Sequence, residues 1–194
     1  MTCLRLPATR PGLTRLAELI RQGGLVAYPT EGVFGLGCDP QSRASVEMLY
    51  ALKSRPQAQG FLLIGAEVSQ LEPYIDTDRL GAQRYAEMRA SWPGPITWVV
   101  PRSARTPAWL VGGHGGVAVR VTAHAPAAAL CRAAGTALVS TSANPHGLAA
   151  ATTVEQVLAY FGESLTGCSK RRRAVSGVRA VRWPRPGCAG RRSS

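Results

Sequence analysis

Two short clusters of polar residues carry the side chains needed to hold a charged substrate. The first is Lys53-Ser54-Arg55, where a compact ammonium and a planar guanidinium stand two positions apart. Such a pair suits phosphate or carboxylate oxygens, although the same residues also suit the C-terminal turn of a helix. Lys53 is the only lysine before Lys170 in a chain with 21 arginines, which favours a specific role for its ammonium group.

The second cluster, Ser140-Thr141-Ser142-Ala143-Asn144, offers three hydroxyls and an amide directly after an apolar segment. Donors of this kind orient a nucleotide or an amino acid without supplying a nucleophile. No G-x-S-x-G sequence frames these serines, so a Ser-His-Asp hydrolase is not indicated. Taken alone, the segment also suits a polar turn that begins at Asn144-Pro145.

The common nucleotide and metal motifs are absent from the sequence. It contains neither G-x-x-x-x-G-K-[ST] nor a G-x-G-x-x-G after an apolar strand. The glycine-rich run 112–116 offers backbone N–H groups to an anion, but a turn between two strands is favoured. The three histidines and five cysteines lack the spacing of a metal site, so we expect no metal site built from protein ligands.

Segments of helical and strand periodicity alternate along the chain, which predicts an α/β fold with the polar clusters at strand ends, where such sheets bind ligands. The glycine-rich segment 29–40 is predicted to be a loop. Helices are predicted over 13–20, from about 42 to before 56, and over 80–89, 125–134 and 153–161; strands are predicted over 25–28, 61–64, 96–100, 117–121 and 137–139.

Positive charge is concentrated near the C-terminus. Nine of the 23 Lys and Arg residues lie between 170 and 194, and without them the net charge falls from +12 to +3. From Gly167 onward the chain is rich in Arg, Gly, Pro and Ser and has no sustained period. We therefore predict one domain over 1–166 and a disordered basic tail over 167–194, either a genuine arm or the product of a frameshift.

No stretch approaches the roughly 20 consecutive apolar residues of a membrane helix, and the N-terminal residues lack a secretory apolar core. The composition therefore predicts a soluble, cytoplasmic protein.

Five segments together resemble the bacterial single-domain TsaC/YrdC family of threonylcarbamoyl-AMP synthases. In order they are LVAYPTEGVFGLGCDP, LKSRPQAQGFLLI, SWPGPITWVVP, VAVRVTAHAPAAALC and ALVSTSANPHG. The resemblance runs from about Leu16 to Phe161, and K-x-R combined with S-T-S-A-N is far more specific than either motif alone. It implies an open, twisted, mixed α/β sheet with flanking helices and a concave basic cavity.

The resemblance also implies an enzyme, a nucleotidyltransferase that forms L-threonylcarbamoyladenylate and pyrophosphate from L-threonine, bicarbonate or CO₂, and ATP with its Mg²⁺. Its product would pass to the complex that makes threonylcarbamoyladenosine (t6A) in tRNA. The implied catalytic residues are Lys53 and Arg55, the implied ATP-binding residues are Lys53, Arg55, Ser142 and Asn144, and the implied threonine-binding residues are Thr30, Arg120 and Ser140.

Two features depart from the family pattern. Gln59 and Ile64 stand where longer relatives have Asn and His, so a histidine contact to threonine is not expected. The family also closes with a G-x-x-S-T-I-type strand whose serine reaches the threonine, and we find no counterpart after Phe161. Its loss predicts weakened threonine binding with ATP binding partly kept.

Two other functions compete with the synthase. One is a double-stranded RNA or tRNA-binding module without full catalysis, because a basic α/β surface attracts RNA phosphates; the few aromatic residues disfavour it. The other is carbamoyl transfer of the kind found in hydrogenase-maturation proteins with a related domain, but this chain lacks their zinc-finger modules.

Overall fold

Nine strands form one mixed sheet in the computed structural model, which describes residues 3–113, 115–170 and 179–182. The strands are β1 (Leu4–Pro7), β2 (Val26–Pro29), β3 (Phe34–Cys38), β4 (Leu62–Gly65), β5 (Ile96–Pro101), β6 (Gly116–Val121), β7 (Leu138–Ser142), β8 (Gly167–Lys170) and β9 (Arg179–Arg182). Their order across the sheet is β1-β8-β2-β3-β7-β4-β6-β5-β9, with both parallel and antiparallel pairs. The predicted mixed α/β sheet is confirmed.

Eight α-helices connect the strands in the described residues, and some of them begin with a side-chain cap. The Ser42 hydroxyl accepts the Ser45 N–H at the start of the second helix, and Thr153 caps the last helix in the same way through Gln156. No helix in the described parts of the chain has the length and apolar character to cross a membrane. The helices are α1 (Arg10–Arg21), α2 (Arg43–Lys53), α3 (Val68–Leu71), α4 (Thr77–Leu80), α5 (Ala82–Ala90), α6 (Ala108–Val111), α7 (Ala125–Ala134) and α8 (Val154–Phe161).

The helix predicted over 80–89 is wrong at its N-terminal end. Gly81 has a φ of 81°, a conformation that glycine adopts without strain, and it separates α4 from α5. The helical run therefore restarts at Ala82 instead of continuing from Leu80.

Helices α1 and α7 cover one face of the sheet, and a larger apolar core covers the other. Leu16 and Ile20 of α1 pack in one buried cluster with Val26, Ile64 and Leu138 of the strands. We call this side of the sheet the α1 face. Because strand side chains alternate between faces, the neighbours of these strand residues, such as Ala27, Leu63 and Val139, lie in the opposite core.

The segment predicted to be a glycine-rich loop contains a central strand instead. β3 pairs antiparallel with both β2 and β7, and its glycines are required by close packing on the α1 face. A Cβ on Gly37 would lie 2.8 Å from the Tyr28 ring and 2.8 Å from the Val139 carbonyl oxygen. Glycine lowers the strand signal in the sequence, but here it leaves room for the Tyr28 ring.

The predicted boundary between domain and tail at 166/167 is placed too early. β8 lies between β1 and β2, and its Cys168 and Ser169 are fully buried. Two strands, β8 and β9, thus follow Phe161, where the sequence shows no G-x-x-S-T-I-type pattern. Only three small or apolar residues, 167–169, precede the basic run, and a segment this short shows no periodicity. The predictions for 171–178 and 183–194 lie outside the described residues.

Candidate active site

Strand register places three of the predicted site residues on the α1 face. Residues directly paired across strands share a face, and Ser140 pairs with Gly37 while Ser142 pairs with Gly35. Arg120 of β6 pairs with Ile64, which belongs to the α1-face cluster. The space that the two glycines leave beside the serines of β7 is occupied by the Tyr28 ring and the Thr30 methyl group.

Thr30 lies on the same side, directly after β2. A Cβ on Gly35 would come within 3.0 Å of the Thr30 methyl group and 3.5 Å of the Tyr28 ring. The Thr30 hydroxyl donates to the Val33 carbonyl oxygen at 2.6 Å, which closes the turn between β2 and β3. All three residues predicted to hold threonine thus share one face of the sheet.

Lys53 connects the two polar clusters directly. It is the last residue of α2, is only 3% exposed, and its Nζ donates to the backbone oxygens of Ser142 and Asn144 at 2.5 Å each. A third contact, at 3.3 Å, goes to Asn144 Oδ1. Lys53 and Ser142 lie 89 positions apart in the chain. Their contact therefore joins the K-x-R and S-T-S-A-N segments into one structural unit.

Burial controls the charge of Lys53. Desolvation, with a smaller contribution from the nearby Arg55 guanidinium, lowers the pKa of Lys53 to about 8. Its ammonium form therefore dominates at neutral pH, and it releases its proton in a pH range where an unperturbed lysine would remain charged. An arriving phosphate would stabilise the charged form.

Arg55 is half-buried and is held by the start of β4. Its Nε and Nη2 both donate to the Gly60 carbonyl oxygen, at 3.2 and 3.1 Å, and its guanidinium carbon lies 5.3 Å from the Phe61 ring centroid. Burial lowers the pKa of Arg55, which the neighbouring Tyr50 partly offsets. Arg55 thus stands near Lys53 but shares no acceptor with it among the described contacts.

The Ser142 to Asn144 segment is ordered by its own side chains. Ser142 Oγ donates to Asn144 Oδ1 at 2.6 Å, and Asn144 Nδ2 donates to the Leu148 carbonyl oxygen at 2.6 Å. The His146 N–H also donates to the Lys53 carbonyl oxygen at 2.8 Å. The end of α2 and the loop after β7 are therefore joined through both side chains and backbone.

A buried ion pair lies among the predicted threonine-binding residues, and of its two members only Arg120 was predicted from the sequence. Glu31, in the turn after β2, lies 3.5 Å from Arg120 through Oε2 and Nη2. The two residues are 6% and 5% exposed. Thr122 Oγ1 donates to the other Glu31 oxygen at 2.5 Å. Glu31 is adjacent to Thr30 in the P-T-E segment. The sequence feature that could have pointed to it is an acidic residue within a glycine-rich segment.

Ser169 is a second residue that the sequence analysis missed. β8 runs parallel to β2 with Cys168 opposite Ala27, so Ser169 stands level with Tyr28 on the α1 face. It is fully buried, and its hydroxyl makes no hydrogen bond to the described part of the chain. A buried, unpaired hydroxyl on the face that carries Ser140 and Thr30 is a candidate ligand group.

Gly112 and Gly113, which begin the glycine-rich run, belong to a turn. The Gly113 N–H donates to the Ala58 carbonyl oxygen at 3.2 Å, and Gly116 already belongs to β6. Gly112 has a φ of 58° and lies so close to Gln57 and Ala58 that a Cβ would clash with their backbone. These contacts favour a packed turn over an anion cradle.

The chemistry available at the candidate site is binding and charge stabilisation. One side presents a buried ammonium at the edge of a hydroxyl- and amide-bearing loop, and the other presents a buried guanidinium paired with a carboxylate. A cavity of about 600 Å³ lies elsewhere, between the starts of α1 and α7, and none of the predicted site residues lines it. The described groups suit a substrate that carries phosphate at one end and carboxylate at the other.

Comparison with known proteins agrees with this arrangement. The Sua5/YciO/YrdC family model, described as "Telomere recombination", matches residues 18–179, a span that includes β8. A threonylcarbamoyl-AMP synthase of Halorhodospira halophila is 55% identical over 157 residues, which cover 80% of this chain and 81% of that protein. A threonylcarbamoyl-AMP synthase of Cellvibrio japonicus is 45% identical over 174 residues, which cover 87% and 90%.

A solved structure extends the similarity to three dimensions. The structure of P. abyssi Sua5 complexed with L-threonine superposes with a TM-score of 0.82 at 30% identity, over 94% of this chain and 54% of that one. The chain thus spans about half the length of the P. abyssi protein. The family match, the sequence identities and the shared fold agree, and the chain belongs to the Sua5/YciO/YrdC family.

Proposed function

We propose that this chain is a threonylcarbamoyl-AMP synthase, which forms L-threonylcarbamoyladenylate and pyrophosphate from L-threonine, bicarbonate or CO₂, and ATP. The observation that carries the proposal is the direct contact of Lys53 with the Ser142 to Asn144 segment. It unites the two motifs whose combination is specific to this family. The synthases of similar sequence, at 45% to 55% identity, support the same activity.

The reaction needs a cationic site for the triphosphate. The threonine amine and bicarbonate first form the carbamate with loss of water. A carbamate oxygen then attacks the α-phosphorus, the bond from that phosphorus to the bridging oxygen breaks, and pyrophosphate leaves with the electron pair. Lys53 and Arg55 lie close enough to affect one another electrostatically and would stabilise the negative charge that develops. Ser142 and Asn144, ordered by their mutual hydrogen bond, would orient the nucleotide.

The amino acid would bind on the α1 face. Arg120 would pair with its carboxylate, while Thr30 and Ser140 offer hydroxyls nearby. The described residues provide no nucleophile paired with a base on this face, so the chain's contribution is to position both substrates.

Mg²⁺ would arrive with ATP. The described residues contain no group of three or more His, Cys, Asp or Glu side chains placed to hold a metal ion, and Glu31 is engaged by Arg120 and Thr122. Mg²⁺ commonly binds through substrate phosphates and water, which fits these residues. The ion would supply charge neutralisation on the phosphates.

The proposal is tested by supplying ATP, Mg²⁺, bicarbonate and L-threonine to the purified full chain and measuring pyrophosphate release and the adenylate. We expect release that requires both threonine and bicarbonate. Lys53→Ala should lower it about 10²- to 10³-fold, whereas Arg43→Ala, which changes an exposed cation of the same helix, should leave it unchanged. Release that continues without threonine would contradict the proposal.

We further propose that the adenylate passes in the cytoplasm to partner proteins that transfer it to tRNA. A double-stranded RNA or tRNA-binding role without full catalysis is the competing function. RNA binding that weakens steeply with salt and survives Lys53→Ala, in a protein that forms no adenylate, would favour that alternative.

A further inference from the structure

Glu31 bridges two distant parts of the sheet. It belongs to the turn after β2, whereas Arg120 belongs to β6, and β3, β7 and β4 lie between those strands. The contact therefore holds the turn that carries Thr30 against the strand that carries Arg120. Both of these neighbours are residues assigned to the amino acid in the proposed reaction.

The Glu31 carboxylate is anchored without help from Arg120. Thr122, directly after β6, donates its hydroxyl hydrogen to Glu31 Oε1 at 2.5 Å and accepts the His124 N–H at 3.1 Å. The Thr122 N–H donates to the Gly65 carbonyl oxygen at 3.0 Å. Because Thr122 is itself fixed by the backbone on either side, it holds Glu31 in one place.

Arg120 retains unused hydrogen-bonding capacity. Its contact with Glu31 Oε2, at 3.5 Å, is an ion pair without good hydrogen-bond geometry, and its buried Nε has no hydrogen-bond partner in the described residues. A guanidinium has five N–H donors, so one carboxylate does not exhaust it. Buried polar groups are rarely left unpaired, which points to a second anion at this position.

We propose that Glu31 is a positioning residue that, anchored by Thr122, holds the Arg120 guanidinium ready for the carboxylate of the amino-acid substrate. This inference rests on the proposed synthase function. Glu31 balances the buried positive charge of Arg120, and the other N–H donors of the Arg120 guanidinium stay available for the substrate. A competing role, in which Glu31 blocks Arg120 and must be displaced by the substrate, does not fit a carboxylate that Thr122 holds independently.

The test measures the KM values for L-threonine and ATP, together with calorimetric titration of L-threonine, in four variants. Glu31→Gln and Thr122→Val remove the two sides of the anchor, and Thr122→Ser restores the hydroxyl. Glu47→Gln is the matched control, because it breaks an exposed Glu–Arg pair in α2, where Glu47 lies 2.7 Å from Arg43.

We expect Glu31→Gln and Thr122→Val to weaken L-threonine binding about tenfold while the KM for ATP stays within about twofold. Thr122→Ser should restore most of the affinity, and Glu47→Gln should behave like the unchanged protein. Equal losses for both substrates would indicate a purely structural role and overturn the inference. Tighter L-threonine binding in Glu31→Gln would show that Glu31 competes with the substrate and would also overturn it.

Failure of the function is distinguishable from failure of the inference. If the unchanged protein neither binds L-threonine nor releases pyrophosphate in its presence, the synthase proposal is wrong. If it does both, and the variants match it, only the role of Glu31 is wrong. Thermal unfolding of each variant separates local loss of binding from loss of the fold.

Discussion

The two sides of the candidate site solve the problem of a buried cation in different ways. On one side, the Lys53 ammonium donates to the backbone oxygens of Ser142 and Asn144 and to the Asn144 side-chain oxygen, all of them neutral. We call these three residues the lysine cluster. On the other side, the Arg120 guanidinium faces the Glu31 carboxylate, to which Thr122 donates a hydrogen bond. We call these three residues the arginine cluster. Lys53 has no carboxylate partner among the described contacts, whereas the charge of Arg120 is balanced by Glu31.

The difference matches the ligands proposed for each side. A triphosphate carries several negative charges, so a cation without a counter-charge attracts it strongly. A single carboxylate carries one charge, so its binding depends more on the orientation of the guanidinium than on the strength of the positive potential. A buried arginine without a counter-charge would destabilise the fold and would not be held in one orientation. We therefore expect the lysine cluster to determine nucleotide binding and rate, and the arginine cluster to determine amino-acid selection.

Loss of Lys53 should produce the largest effect. Lys53→Ala removes the ammonium proposed to stabilise the transferring phosphate, and we expect kcat/KM for ATP to fall about 10²- to 10³-fold. Calorimetric titration should show L-threonine affinity within about threefold of the unchanged protein. A comparable loss of threonine affinity would mean that the two clusters act as one.

Removal of Arg120 should next affect both threonine binding and stability. Arg120→Met leaves Glu31 buried without its counter-charge, so we expect about 3–5 kcal/mol of destabilisation in urea unfolding. L-threonine affinity should fall about 100-fold. Adding Glu31→Gln to Arg120→Met should restore most of the stability but none of the affinity, and recovery of both would contradict our assignment.

The pH dependence should separate the clusters more finely. Burial lowers the pKa of Lys53 to about 8, so its ammonium is present below that pH and is lost as the pH rises through it. In the free enzyme, kcat/KM for ATP should be level below about pH 8 and fall about tenfold per unit above it. Lys53→Arg should remove the fall, and a fall that persists would assign it to another group.

Ser169 offers the smallest and most specific test. Because its buried hydroxyl makes no hydrogen bond to the described residues, Ser169→Ala should raise the free energy of unfolding by about 0.5–1 kcal/mol. If β8 provides a threonine contact, L-threonine affinity should fall about threefold at the same time. A gain in stability with unchanged affinity would place Ser169 outside the site.

Local patterns in the sequence identified much of the fold. The apolar runs at 96–100 and 117–121 predicted β5 and β6, and the spacing of Leu13, Leu16 and Ile20 predicted α1. Gly35 and Gly37 led to a wrong prediction of a loop, since glycine lowers strand propensity on average. The structure uses them because the Tyr28 ring occupies the space above β3.

The residues of the candidate site also divide into those that a local pattern predicts and those that depend on contacts between strands. Lys53, Arg55, Ser140 and Asn144 could be predicted as site residues because each lies in a short motif whose residue types imply anion or amide chemistry. Glu31 and Ser169 were not, because each is an isolated polar residue whose meaning depends on a neighbour in another strand.

By itself, the sequence predicted five of the strands, five of the helices and the motifs that mark the family, because helix periodicity, caps and motif spacing act over a few residues. Only the tertiary structure decided that Lys53 reaches the loop after β7, that Glu31 meets Arg120 across three strands, and that Gly167–Lys170 enters the sheet. These contacts depend on strand order and twist, which arise from packing of the whole chain.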